Sequence, residues 1–362
     1  MGNFLLYLVA FFFLIGSLDY AVGNKFGLGK TLKEGICNMG PLAISMVGVI
    51  SLTPILAKMI NLTFVPFVKK IGIEASILTS SFIAVDMGGY DMALELSSMY
   101  PITVFSGIVI ASILGCTISF TMPLAMGMVK QSSKEELAKG MLCGIITVPI
   151  GLLLGGFLLN IGINTLLLNI TPVLIISIIL VLGIKYKPNV CLKLFSALGK
   201  LITLVSLIGL ALQGISSISG VIILEEMTPL NDCLNIVGKI GLFLGGSCVM
   251  LEVIKLLLSK PLSYIEKHFN INSNTIAMLI ASLASAIIVF SDFEDLNKDG
   301  KIICSAFSVS GAYVFGGQLG YVASVEPSII DVYIVVKIIS GLSAILLAYI
   351  IFIKRGDKEY ER

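Results

Sequence analysis

The feature that most limits this chain is a succession of apolar stretches, each close to the roughly 20 residues that a helix needs to cross a bilayer. They fall at residues 3–22, 39–60, 73–94, 102–129, 139–162, 165–184, 194–213, 233–258, 272–291, 302–324 and 330–353. Only 13% of residues are charged, against about 25% in a soluble domain, so no aqueous surface of any size can be covered. In hydrocarbon every backbone polar group must find an internal partner. The chain is therefore expected to be an all-α polytopic membrane protein. Its net charge of +2, with no basic stripe, excludes a nucleic-acid binder. The first lysine is Lys25. No basic segment precedes the first apolar run, so a cleavable signal peptide is not expected.

Lysines and arginines concentrate in cytoplasmic loops. Lys25, Lys30 and Lys33 follow the first stretch, and Lys130, Lys134 and Lys139 the fourth. Lys185, Lys187 and Lys193 follow the sixth, Lys255, Lys260 and Lys267 the eighth, and Lys298 and Lys301 the ninth. Residues 91–101, 163–170, 214–232 and 325–331 carry neither lysine nor arginine. Eleven full crossings cannot meet this pattern, because basic loops lie on both sides of 272–291. About nine full spans with two re-entrant hairpins, 73–94 and 272–291, satisfy it. The N-terminus is then outside and the tail, 354–362, is cytoplasmic. Lys58, Lys69 and Lys70 are the exceptions, placed outside.

The hairpin tips are expected at Asp86-Met87-Gly88-Gly89 and within Ser282-Leu283-Ala284-Ser285-Ala286. The segments around them share a layout: a Gly-rich span, a Pro-bearing amphipathic stretch (62–72 and 259–269), a hairpin, then a Ser/Gly-rich span. An odd number of crossings separates the copies, so the repeats are inverted, as in many secondary transporters with a mid-membrane site. The expected division of this single membrane domain is repeat one at about 1–162, a linking span at 163–193 and repeat two at 194–353.

Asp86 is the strongest candidate binding residue, since a carboxylate within a membrane segment usually faces a cavity and a partner. Gly88 and Gly89 let the chain break there, Met87 lies between, and Tyr90 adds an aromatic face that attracts cations. Asp91 and Glu95 lie nearer the surface. In 310–320, Gly311, Gly316, Gly317 and Gly320 allow close backbone approach, and Gln318 is a deep polar side chain. Gly23 to Thr31 is one residue too long for a phosphate-binding loop and follows a membrane span, so it reads as a flexible basic loop. Asp295 to Gly300 starts like a calcium loop, yet Ala306 stands where a bidentate glutamate is needed, leaving a polar turn. The seven cysteines are scattered and never form a C-x-x-C pair, so neither a disulfide framework nor a metal site is expected. The only histidine, His268, has no serine or glutamate constellation around it, and an enzyme is not expected.

With these residues in view, the chain resembles the ethanolamine-utilisation membrane transporter family, EutH, over most of its length. The resemblance is carried by Glu34-Gly35, Met39-Gly40 and Met46-Val47-Gly48, and by Asp86-Met87-Gly88-Gly89-Tyr90 with Glu95-Leu96. It continues through Gly144, Thr147, Pro149, Ile150, Gly151 and Gly155-Gly156, then Gly300-Lys301, Ala306-Phe307, Val309-Ser310 and Leu319-Gly320. Ser285-Ala286-Ile287-Ile288 and Gly317-Gln318 depart from the family pattern, which has a paired Asn before Ile-Pro and an Asp-His. The resemblance implies uptake of ethanolamine through a bacterial inner-membrane permease that needs no cofactor. Its substrate would bind at Asp86, Met87, Gly88, Gly89, Tyr90, Ser285 and Gln318. The hydroxyl would meet Gln318 or Ser285, and the ammonium Asp86. Lipid surrounds the protein, and a homodimer is left open.

Overall fold

The computed structural model describes residues 2–63, 65–66, 70, 72–269 and 272–353. Among them the regular structure is helical. In chain order the helices are α1 (Gly2–Ala21), α2 (Leu28–Cys37), α3 (Met39–Thr63), α4 (Ala75–Phe82), α5 (Gly89–Leu96), α6 (Tyr100–Met128), α7 (Lys134–Leu158) and α8 (Ile163–Tyr186). They continue with α9 (Pro188–Ser219), α10 (Leu230–Phe269), α11 (Ser273–Ala284), α12 (Ala286–Ser291), α13 (Lys298–Ser310), α14 (Gly317–Val325) and α15 (Ile330–Ala348). Among the described residues eight helical stretches are long and apolar enough to cross a membrane, so the chain is a polytopic membrane protein. The three remaining apolar stretches, 73–94, 272–291 and 302–324, are each interrupted.

Burial separates the centre from the lipid-facing rim. All of the most apolar window of Tyr100–Met128 is buried, against 17% of that in Phe4–Ala21. Helix α6 is the axis of the molecule. Its backbone widens into π-helical turns over Phe105–Gly115 and Thr117–Thr121, a geometry often found at functional sites. The Thr117 hydroxyl donates to its own helix at Ile113 O (2.7 Å) and across to Val309 O of α13 (2.8 Å), which locks the two central helices together.

Helices α4 and α5 both pack on α6. The Ser98 hydroxyl, just after α5, donates to the Glu74 carboxylate, just before α4. Ala75 and Leu96 share one apolar cluster with Ala57 and Val65. The break between α4 and α5 faces the middle of α6, where a Cβ on Gly115 would stand 2.3 Å from Ile83 O. The second interrupted pair has the same construction. A Cβ on Gly300 would touch Thr275 of α11 at 2.2 Å. Beyond α12, Glu294 accepts from Lys130 N (3.1 Å), Ser133 (2.7 Å) and Lys301 (3.3 Å). Ser98 thus precedes α6 and Lys130 follows it, so the two pairs are anchored at opposite ends of the central helix.

Two loops differ from their sequence readings. The basic stretch after α1 is not all loop. It contains α2, which buries Gly29, Leu32 and Gly35. Asp19, near the end of α1, fixes the turn by accepting from Phe26 N (3.0 Å) and Gly29 N (2.9 Å), as a carboxylate at a helix N-terminus does. Asn297, in the calcium-loop-like run, caps α13 by accepting from Gly300 N (2.8 Å). Of the lysines the sequence reading left outside, Lys58 pairs with Glu226 at 2.6 Å. Lys69 and the side chain of His268 lie outside the described residues.

The tightest helix crossing joins α3 and α9. A Cβ on Gly48 would lie 1.7 Å from Ser206 O, and one on Gly209 would lie 2.2 Å from Gly48 O. Small residues at such crossings let membrane helices approach. Gly48→Ala is therefore expected to lower stability by about 1–3 kcal/mol, the usual range for overpacking. Gly238→Ala, where a Cβ meets nothing within 4 Å, serves as the control. Thermal unfolding in detergent reads the difference, and equal midpoints for the two variants would contradict this crossing.

Candidate functional site

The first interruption is set by backbone chemistry. Ile83 and Ala84 are extended, Val85–Met87 form one 3-10 turn, and Gly88 sits at φ 89°. That left-handed conformation suits glycine, and a Cβ there would also meet Val49 Cγ1 at 2.6 Å. The Gly89 N–H closes the turn onto Ala84 O (3.0 Å). This turn holds Asp86 half-buried at the tip, with Met87 against the main core cluster. Tyr90 is buried, and its hydroxyl donates to the Glu326 carboxylate at 3.2 Å.

Facing this tip is a residue that the sequence reading passed over. Lys337, on α15, is 1% exposed. Its ammonium donates to Ser112 O of α6 and to Gln318 Oε1 of α14, each at 2.8 Å. Asp86 attracts it electrostatically, although the two make no direct ion pair. One turn earlier on α15, the Tyr333 hydroxyl donates to Tyr313 O (3.0 Å) and approaches Gln318 Oε1 (3.4 Å). A buried ammonium is tolerable only when paired and hydrogen-bonded, and two helices besides its own supply that here.

The second interruption meets the third. The Tyr313 and Phe315 N–H groups donate to Ser282 O (3.0 Å) and Leu283 O (2.8 Å) at the end of α11. A Cβ on Gly316 would stand 2.0 Å from Ala284 O, so only glycine admits this approach. Tyr313 takes a left-handed φ of 62°, an uncommon state for a bulky residue and one that tends to mark functional sites. Ser285 is at this tip, but its hydroxyl accepts from Ile287 N (3.3 Å) and caps α12. Its hydroxyl thus has a local partner, while the carbonyls before it, Ser282 to Ala284, meet the turn at 311–316 that leads to Gln318.

A second carboxylate completes the arrangement. Asp91 accepts from the Tyr321 hydroxyl at 2.6 Å. Tyr321 is fully buried and lies one turn beyond Gln318 on α14, so a single face of that short helix serves both Lys337 and Asp91. Of the residues expected from sequence, Asp86, Gln318 and the Gly88-Gly89 turn come together here. Tyr90 lies beside them and points its hydroxyl to Glu326. Ser112, Tyr321, Tyr333 and Lys337 were missed. Lys337 carried a legible signal: a lone lysine inside an apolar stretch is a functional candidate by default. The array offers one fixed, buried cation and two half-buried carboxylates, Asp86 and Asp91.

A family profile described as "Ethanolamine utilisation protein, EutH" matches residues 1–351. The probable ethanolamine permease EutH of Listeria monocytogenes is 36% identical over 345 residues, covering 95% of this chain and 92% of that protein. The protein of the same name from Salmonella typhimurium is 30% identical over 386 residues, covering 96% and 95%. The uncharacterized protein YxeR of Bacillus subtilis is 32% identical over 344 residues, covering 95% and 93%. No solved structure matches the chain.

Removing the Gln318 carbonyl should expose how much the lysine depends on it. Gln318→Leu is expected to cost about 1.5–3 kcal/mol, the worth of a hydrogen bond to a charged group. Gln318→Glu, which keeps an acceptor in place, should recover most of that. Detergent melting curves of both variants decide it; a Gln318→Leu protein as stable as the parent would mean that Lys337 is held by something else.

Proposed function

The chain belongs to the EutH family of ethanolamine utilisation proteins, and on that premise we propose that it carries ethanolamine across the bacterial inner membrane at the cluster around Asp86. The observation that carries this reading is a charged, hydrogen-bonded cluster at the meeting of broken helices, buried among eight membrane-crossing stretches. Ionisable residues in that position are expensive and usually serve a pathway. At neutral pH ethanolamine is an ammonium two carbons from a hydroxyl. In low dielectric the ammonium needs a carboxylate or carbonyl partner. Asp86 and the carbonyls of the Gly88-Gly89 turn supply it, Met87 and Tyr90 wall the site, and Gln318 and the backbone at Ser285 face it from the other repeat. This is a transport site, not that of an enzyme.

The architecture proposed for it has nine full spans and two re-entrant hairpins. The eight continuous stretches and the interrupted 298–325 make up the nine. The hydrogen bond between Ser98 and Glu74 supports a hairpin that leaves the membrane on the side where it came in. The contacts of Thr275 with Gly300, and of Glu294 with Lys130 and Lys301, support the same for the second. Their anchorage at opposite ends of α6 supports inverted repeats at about 1–162 and 194–353, joined by a linking span at 163–193. Ala75 and Ser273, which start the two hairpins, and Tyr100 and Lys298, which start the helices after them, are both 198 positions apart. The Lys58–Glu226 pair removes one objection to an outside N-terminus and a cytoplasmic tail.

Reconstituted protein should take up labelled ethanolamine saturably. Asp86→Asn, which keeps the shape but removes the charge, should weaken apparent affinity by roughly 10- to 150-fold, the equivalent of a lost hydrogen bond to a charged group. Glu95→Gln, at an exposed position, should change little. No uptake by the parent would refute the function, and unchanged affinity in Asp86→Asn would take that carboxylate out of the site.

Cysteine labelling tests the topology. In a background lacking the native cysteines, Lys70→Cys and Ser98→Cys should react from one side of the membrane, and Asn272→Cys and Asp295→Cys from the other. Reaction of either pair from both sides would replace its hairpin with a crossing.

A further inference from the structure

We propose that Lys337 reads the substrate's hydroxyl oxygen, donating its third N–H to it, and so makes the site selective for amino alcohols over plain alkylamines. The proposal rests on the reading of this site as the one that carries ethanolamine.

A lysine ammonium has three donors and no acceptor. Two are used, on Ser112 O and Gln318 Oε1, each at 2.8 Å. Among the described residues no third hydrogen-bond acceptor takes the remaining N–H; the ammonium's other neighbour is the Tyr333 ring face, its centroid 5.5 Å from Nζ, and the side chain is 1% exposed. A donor left without a partner in a buried position is costly. The turn that carries Asp86, Val85–Met87, packs against both α14 and α6, the two helices that hold this ammonium, and no direct ion pair joins the two charges. A small molecule between the two groups would meet a carboxylate at one end and a cationic donor at the other.

Ethanolamine fits that polarity in one direction only. Its ammonium can donate but not accept, and like charge keeps it away from Lys337. Its hydroxyl oxygen can accept. The ammonium therefore goes to Asp86 and the oxygen to Lys337. Gln318 does not need to contact the substrate in this arrangement. Its carbonyl holds Lys337 in place, with Tyr333 at 3.4 Å steadying the same oxygen, so Gln318 is a positioning residue. The alternative is that the hydroxyl is recognised as a donor, by a backbone carbonyl or Gln318. The two differ in what they ask of the oxygen: only the Lys337 arrangement tolerates an oxygen with no hydrogen.

Competition against labelled ethanolamine in proteoliposomes of the full chain separates them. n-Propylamine replaces the hydroxyl of ethanolamine by a methyl group, and n-butylamine is the isostere of 2-methoxyethylamine with its oxygen removed. With Lys337 as donor, ethanolamine should outcompete n-propylamine, and 2-methoxyethylamine should outcompete n-butylamine, each by about tenfold or more, as expected for a hydrogen bond to a charged group. In Lys337→Met both gaps should close to within about threefold, whatever happens to the overall rate. If 2-methoxyethylamine is no better than n-butylamine in the parent protein, the oxygen is read as a donor and the proposal fails. That comparison needs no variant, so it stands even if Lys337→Met does not fold. Gaps that persist in Lys337→Met would overturn it as well. Either result, in a parent that takes up ethanolamine, leaves the transport function intact; a parent without uptake fails both.

Discussion

A positive charge enclosed by apolar helices has to be held, and the way Lys337 is held organises the centre of this molecule. Its two acceptors come from α6 and α14, and it stands on α15. Two consecutive elements, α14 and α15, are therefore fixed by one side chain to each other and to α6, 225 positions earlier in the chain. Leaving a buried charge without its partner costs about 3–5 kcal/mol, a large fraction of a typical domain's total stability. Tyr333 lies alongside, its hydroxyl donating to the Tyr313 carbonyl at 3.0 Å and standing 3.4 Å from the same Gln318 oxygen. The left-handed φ of Tyr313 then has a physical counterpart, since this turn residue has its N–H bonded to Ser282 O of α11 and its carbonyl to the Tyr333 hydroxyl of α15.

The interrupted helices pose the converse problem. Each break frees backbone groups that water cannot satisfy inside a bilayer. At the first break the chain satisfies itself locally, with Met87 and Gly89 N–H groups both returning to Ala84 O. At the second and third breaks the two faults repair one another, Tyr313 and Phe315 donating to the carbonyls exposed at the end of α11. Gly88 is set by its left-handed φ, but two other glycines at these places follow from closeness. Gly316 and Gly89 have carbonyl oxygens at 2.0 and 2.7 Å from where a Cβ would sit.

This difference explains what the sequence could and could not reveal. The first tip was legible because its chemistry is local: an aspartate beside two glycines inside an apolar stretch. The helices were legible because hydrocarbon leaves the backbone few options. The second break falls at Ser285, within the run expected for it, and the Ser285 hydroxyl accepts there from Ile287 N as a helix cap, a local use that its sequence reading did not include. Lys337 and Tyr321 act through partners more than 200 positions away for Ser112 and Asp91, and no spacing rule reaches that far. Lysines had been read only as markers of the cytoplasmic side, which hid the one inside a span. The same habit made Lys58 an anomaly, and its partner Glu226 stands 168 positions further along the chain.

Charge balance differs among the carboxylates around this cluster. Asp86 has a resident ammonium nearby, whereas Asp91 accepts from the Tyr321 hydroxyl at 2.6 Å, and Glu326 accepts from Tyr90 and Ser328. A neutral donor spreads a carboxylate's charge without cancelling it. On the transport reading proposed above, a cation would be drawn to Asp91 and Glu326 by charge alone, whereas at Asp86 the resident ammonium opposes it and hydrogen bonding must supply the difference. The short helix α14, with Gln318 bonded to Lys337 and Tyr321 to Asp91, sets the spacing between the two.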